Sequence, residues 1–190
     1  MAYRLLQPEN ALSQMVDTLS GTVTSVKPLH PAKALSARYI AAGAQSVEHT
    51  EVRMFNLLDE SAIDTAYLND SSAVLFGTPT YVANMSWQMK KWFDTDWSVK
   101  LGGKLGGVFA TENAPYGGGA ELAMMTLVSH MLVKGMLVYS SGAEFGRPFI
   151  HIGPAGIRDR IPEMEEHCKT YGRRMALKAH ALFDRHESYE

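Results

Sequence analysis

Ala73-Val74-Leu75-Phe76 is an uninterrupted apolar run, closed by Gly77 and followed by a turn that Pro79 stiffens. A run this short, with no polar residue alternating through it, reads as a strand buried on both faces. Such a strand needs helices above and below its sheet. The residues beyond the turn provide one. Asn84 is a good N-cap residue, and Met85, Gln88-Met89 and Trp92-Phe93 recur at helical spacing with Lys90 and Lys91 on the opposite face. A strand, a polar turn and a helix in this order form the unit in which open α/β sheets place ligands, beyond the carboxyl ends of their strands. An ordinary, well-capped strand-to-helix connection would look the same.

The rest of the chain repeats the rhythm. Leu12, Met15, Val16 and Leu19 make a short amphipathic pattern, and Thr22 to Val26 is a brief β-branched run that reads as a first strand. Residues 32–47 predict a helix, 50–55 a strand and 61–68 a short helix. Then come the strand at 73–76, the helix from 84 to 94, a buried strand at 106–110 and a Met-rich helix at 121–133. A fifth strand at 136–139, a loop over 141–157 and a final helix from about 162 to 183 complete the pattern. Alternation of this kind predicts a parallel sheet with helices on both faces, a three-layer sandwich. Five strands in this rhythm suit the doubly wound order 2-1-3-4-5, in which the loops after strands 1, 3 and 4 converge. No repeat or linker divides the chain, so residues 1–190 read as one domain, with 1–20 an N-terminal extension of no assignable role.

Composition narrows the function. A net charge of −2 and a pI near 6.4 leave no electrostatic footprint for nucleic acid. No apolar run approaches the roughly 20 residues that span a bilayer. The start of the chain carries Arg4, Gln7, Pro8 and Glu9 and has no signal-peptide core. A single cysteine, Cys168, excludes an internal disulfide and suits a reducing cytoplasm. It falls on the apolar stripe of the last helix, as a core residue would. The seven histidines show no metal-ligand spacing. No G-x-G-x-x-G follows the first strand, which argues against a dinucleotide site, and no G-x-S-x-G marks a serine nucleophile.

Two loops carry the chemistry. The first is the hydroxyl-rich turn after Phe76. The second, after the strand at 106–110, is Thr111-Glu112-Asn113-Ala114-Pro115-Tyr116-Gly117-Gly118-Gly119. Its glycines let backbone approach a ligand and leave N–H groups free to donate, and Tyr116 can cover an aromatic ring. A flexible surface loop is the plainer reading. Trp87, Trp92 and Trp97 flank the third helix, where burial is the default.

On these residues the chain resembles the tryptophan-repressor-binding-protein family of flavodoxin-like NAD(P)H:quinone oxidoreductases. The resemblance is carried by the 77–94 segment, Gly103 to Phe109, Gly117 to Glu121 and Lys134-Gly135-Met136, and it covers roughly residues 50–185. It implies a flavodoxin-like fold, FMN as cofactor, NAD(P)H as co-substrate and a quinone-like acceptor. It also implies a cytoplasmic homotetramer. By the same resemblance, Pro79, Thr80, Tyr81, Val82 and Asn84 wrap the isoalloxazine ring, and Thr111, Glu112, Asn113, Tyr116 and Gly117 line it from the second loop. The chemistry is flavin-centred, so no side chain is assigned as a catalytic acid, base or nucleophile.

The first loop departs from the family. Lys27-Pro28-Leu29-His30-Pro31-Ala32-Lys33 stands where the family has glycine and hydroxyl residues around the FMN phosphate. Its two prolines each delete a backbone donor. His30, Lys33 and the helix N-terminus are the phosphate partners left. The expected function is two-electron reduction of a quinone. The alternative is a binding or scaffold protein with a weakened or lost FMN site. The modest charge and the lack of acidic clusters count against a one-electron carrier.

Overall fold

The computed structural model describes residues 2–5, 31–57 and 59–184. In chain order they form β1 (Ala2–Leu5), α1 (Pro31–Gln45), β2 (Thr50–Arg53), α2 (Thr65–Asp70), β3 (Ala73–Pro79) and α3 (Trp87–Thr95). After these come β4 (Leu105–Glu112), α4 (Ala120–Val133), β5 (Leu137–Val138), β6 (Ala155–Ile157) and α5 (Glu165–Phe183). The strands make one sheet of order β2-β1-β3-β4-β5, with β6 also paired to β4. Helices cover both faces, so the flavodoxin-like α/β architecture is as expected.

Direction decides which loops can meet. β3, β4, β5 and β6 run parallel, Ala73 to Pro79 matching Leu105 to Thr111 residue for residue. β1 is antiparallel to both β2 and β3, so β2 points the same way as β3. The loops after β3 and β4 therefore open at one sheet edge. α1 ends just before β2 begins, which places the start of α1 at that same edge. Pro31 opens α1, where its missing N–H costs nothing and its fixed φ suits the first turn.

The antiparallel β1 differs from the expected parallel first strand. Sheet pairing accepts either direction, and the antiparallel ladder is slightly the more stable per residue. Four residues reading Ala-Tyr-Arg-Leu carry no signal for which neighbour they will meet. The 22–26 strand, the 12–19 pattern and His30 lie outside the described residues. β6 falls within the stretch for which the sequence predicts a loop, because three residues of Ala-Gly-Ile have no periodicity. It forms because the chain returns to β4, at Ala110 to Glu112, after leaving it at β5.

Two cores lie against the sheet. Phe76, Met89, Phe93, Val108, Met124 and Leu127 fill the side under α3 and α4. Ile40, Leu75, Phe109, Cys168, Tyr171 and Met175 fill the side under α1 and α5. On that second side α1 and α5 cross backbone to backbone. A Cβ on Gly43 would collide with the Lys169 carbonyl, and one on Gly172 with the Ile40 carbonyl. Cys168 is 1% exposed, and burial pushes its thiol up to about 12. Of the tryptophans, Trp92 is buried, while Trp87 and Trp97 are more than half exposed. No described helix is long and apolar enough to cross a membrane.

Candidate functional site

The site is built where β3 and β4 end side by side. Thr78 and Pro79 pair with Ala110 and Thr111, and the next residue, Thr80, donates its backbone N–H to the Thr111 carbonyl at 2.8 Å. The ladder thus continues one residue past β3 and sets the height of the turn. The helix after the turn is tied back: the buried Thr78 hydroxyl accepts the Ser86 N–H at 2.9 Å and donates to the Pro79 carbonyl at 2.9 Å.

Tyr81 and Asn84 exchange both backbone hydrogen bonds, at 2.9 and 3.0 Å. Between them Val82 has φ +50° and Ala83 φ +55°. Two consecutive left-handed residues are the signature of a type I′ two-residue turn, whose usual sequence is Asn-Gly. Val-Ala there costs about 1–2 kcal/mol per residue. Val82 is fully exposed, so no packing offsets the strain. Strain held at this position points to use. Asn84 serves this turn, its side chain accepting the Met85 N–H at 2.8 Å. The N-cap of α3 is Ser86, whose hydroxyl accepts from Met89, and the helix begins at Trp87 rather than near Asn84. Both Asn84 and Ser86 fit N-cap statistics, so the sequence alone did not separate them.

The second loop leans on the first. Gly119, with φ +87°, brings its backbone so close to Ala83 that a Cβ would lie 2.8 Å from the Ala83 Cα. Glu112 braces the loop: its carboxylate accepts the Ala120 N–H at 3.0 Å, capping α4. Gly118 packs against that carboxylate, leaving no room for a Cβ. Glu112 therefore holds the loop's shape. Gly117, with φ +66°, faces open space. Asn113 is exposed and Tyr116 is 89% exposed.

The structure thus brings Pro79, Thr80, Tyr81, Val82 and Asn84 together with Thr111, Glu112 and the Gly117–Gly119 arm. Lys33 lies in the first turn of α1, at the same sheet edge. Ser86 and the Gly119–Ala83 contact were missed in the sequence. The first was hidden behind Asn84, and the second is a tertiary contact.

Two buried side-chain polar atoms lack a hydrogen-bond partner among the described residues, the Trp92 indole N–H in the core and the Thr80 hydroxyl at this site. A buried hydroxyl without a partner costs roughly 1–3 kcal/mol. Around it the rim is aromatic and apolar: Tyr81, Val82, Trp87 and Tyr116 are all exposed. The residues present fit a flat aromatic ring bearing hydrogen-bonding groups. Among the described residues no cluster of histidine, cysteine and acidic groups could hold a metal.

A mostly parallel sheet with two converging loops at its carboxyl edge, one of them glycine-rich, is the doubly wound α/β class, in which ligands sit beyond the strand ends. No protein-family profile matches the chain. A flavodoxin of Clostridium saccharobutylicum is 41% identical over 147 residues, 77% of this chain and 89% of that one. The chain belongs to the flavodoxin family. An NAD(P)H dehydrogenase (quinone) of Solidesulfovibrio magneticus is 39% identical over 75 residues, 37% of this chain and 36% of that one. A solved flavodoxin, WrbA-like protein from Agrobacterium tumefaciens has the same fold. Its TM-score is 0.62 at 22% identity, over 85% of this chain and 98% of that one.

Proposed function

We propose that the chain binds FMN between the 79–84 turn and the 111–119 loop and uses it to pass two electrons from NAD(P)H to a quinone or similar small acceptor. The observation that carries the reading is the strained Val82–Ala83 turn seated on Gly119, beside the unpartnered Thr80 hydroxyl. FMN, when bound, supplies the redox chemistry. The chain's own part is to bind, orient and exclude water. Thr80 offers its hydroxyl, the turn and the glycine loop offer backbone N–H and C=O groups, and Tyr81 and Tyr116 shape the open face. The rim carries aromatic rather than acidic groups, which suits a flat, uncharged acceptor. The quinone dehydrogenase relatives point the same way, over smaller shares of the chain.

The phosphate end of FMN would fall to the start of α1 and to Lys33. A homotetramer is the proposed assembly. Its support is the outward side of α4, where Leu122, Met125, Leu132 and Val133 are exposed. An apolar stripe of this kind is a common subunit contact.

A second reading, an electron carrier without an enzymatic activity of its own, is favoured by the longer match to a flavodoxin. Titration of apo-protein with FMN, followed by flavin fluorescence, comes first. No quenching at tens of micromolar FMN removes both readings and leaves the cofactor-free scaffold. If FMN binds, steady-state reduction of a soluble quinone by NAD(P)H separates the two. Parallel double-reciprocal lines support the oxidoreductase, and turnover no faster than free FMN supports the carrier.

A further inference from the structure

We propose that a second pocket, between the start of α4 and the 149–155 segment, binds a flat aromatic molecule bearing hydroxyl donors, of the phenol or hydroquinone class. The cavity measures about 270 Å³ and is bounded by Glu121 and Met124 of α4, residues 149–155, and Met164 and His167. That lies just below the usual ligand-pocket range, which begins near 300 Å³, and suits one or two fused rings.

The walls are mixed, with polar and apolar surface in about equal share, and they are held in place. Met124 and Ile150 are 1% exposed and form the floor, and Phe149 contributes a half-exposed ring that carries the Arg147 guanidinium 5.5 Å from its centroid. Met164 adds a thioether, which favours aromatic contact. The 149–155 segment lies flat on β4, because a Cβ on Gly153 would strike the Val108 carbonyl. The Pro154 carbonyl accepts the Ala110 N–H at 3.0 Å, and His167 is hydrogen-bonded to the Phe149 carbonyl at 3.0 Å. Arg174 clamps the preceding turn through the Phe145, Gly146 and Pro148 carbonyls. The pocket is therefore preformed.

Two polar side chains at its mouth, Glu121 and His151, are exposed and make no hydrogen bond or ion pair among the described residues. Glu121 lies in the first turn of α4, where the helix dipole favours its charge. A carboxylate accepts and cannot donate, whereas an imidazole can do either. A ligand seated against Glu121 gains a hydrogen bond there by presenting an O–H or N–H, and meets repulsion by presenting an acceptor. A quinone has only acceptors, but its reduced form has two hydroxyl donors. An ammonium ligand would satisfy Glu121 and waste the aromatic and thioether walls.

The place also matters. Ala155, the first residue of β6, lines the pocket and pairs with Ala110 of β4, so the pocket lies beside the strand that leads into the glycine loop. Glu121 itself follows that loop by two residues. The choice of hydroquinone over other phenols rests on the quinone-reduction reading.

The test uses 2,7-dihydroxynaphthalene and 2,7-dimethoxynaphthalene, which share rings and differ in donors. Binding to the full chain is measured by calorimetry without FMN and with saturating FMN, and circular dichroism checks the fold of each variant. The diol is expected to bind at least tenfold more tightly than the diether, with and without FMN. Glu121→Gln is expected to weaken the diol about tenfold and leave the diether unchanged. Phe149→Ala should weaken both. Equal affinity for the two probes, no effect of Glu121→Gln in a folded variant, or displacement of the diol by FMN would each overturn the proposal. Diol binding without FMN binding would keep the pocket and remove the oxidoreductase reading. FMN binding without diol binding would do the reverse.

Discussion

Replacing Gly119 with alanine sets the two loops against each other. The new Cβ would sit 2.8 Å from both the Cα and the Cβ of Ala83, and the residue would have to hold φ +87°. The left-handed conformation alone costs about 1–2 kcal/mol. The clash adds about 1–3 kcal/mol, because backbone on one side meets backbone on the other and neither is a flexible side-chain end. Gly117→Ala is the control: its φ of +66° carries the same conformational cost, and no atom lies within 4 Å of the new Cβ. For a chain of this size each kcal/mol lowers Tm by about 2–4 °C. Gly117→Ala should therefore lower Tm by a few degrees and leave FMN affinity within a factor of about three. Gly119→Ala should lower Tm roughly twice as far and weaken FMN at least tenfold, by pushing the 81–84 turn out of register with Thr80. Thermal unfolding and fluorescence titration of both variants decide it. Equal effects would mean that the loops touch without supporting each other, and the site would lose its second wall.

Val82→Gly should raise stability by about 1 kcal/mol in chemical denaturation, since an exposed left-handed valine gives up strain and no packing. A neutral or destabilising result would refute the strain. Lys33→Ala should weaken FMN about ten- to a hundredfold while leaving riboflavin, which lacks the phosphate, nearly unchanged. Equal loss for both ligands would place Lys33 in the fold alone. Cys168 should resist thiol reagents in the native protein at pH 8 and react at once in denaturant. Its folded pKa is raised, so the stability it contributes is complete below its unfolded value near 9 and is lost as pH climbs towards about 12. Unfolding free energy that falls by about 1.4 kcal/mol per pH unit in that window, less steeply in Cys168→Ala, would bear this out. A native-state reaction at pH 8 would contradict the burial.

What the chain discloses before folding follows from the range of the forces involved. The buried strands β3 and β4, α4 and the amphipathic α5 stand out because their apolar patterns are local. The two site loops stand out because proline, glycine and hydroxyl residues cluster there. Their backbone state does not. Nothing in Tyr-Val-Ala-Asn announces two left-handed residues, because local preference argues against them and only the Thr78, Thr80 and Gly119 contacts impose them. Glu112 reads as a ligand-facing acid, yet its carboxylate caps α4. β6 and the direction of β1 depend on partners distant in sequence, so no window of residues contains them. The pocket at Glu121 and His151 joins residues 30 apart that share no motif.

The crossing of α1 and α5 has one more consequence. With Gly43 under Lys169 and Gly172 under Ile40, each helix lies in a notch of the other, and the pair has no vertical play. The top of α1, with Pro31 and Lys33, is thereby levelled against α5, and through Tyr171, whose hydroxyl accepts the Val108 N–H at 2.9 Å, against β4. The start of α1 and the strand ends that carry the two loops are gauged from one reference point. A single larger residue at either notch would not open a gap locally. It would tilt the helix and change the span between the two ends of whatever ligand lies across that edge.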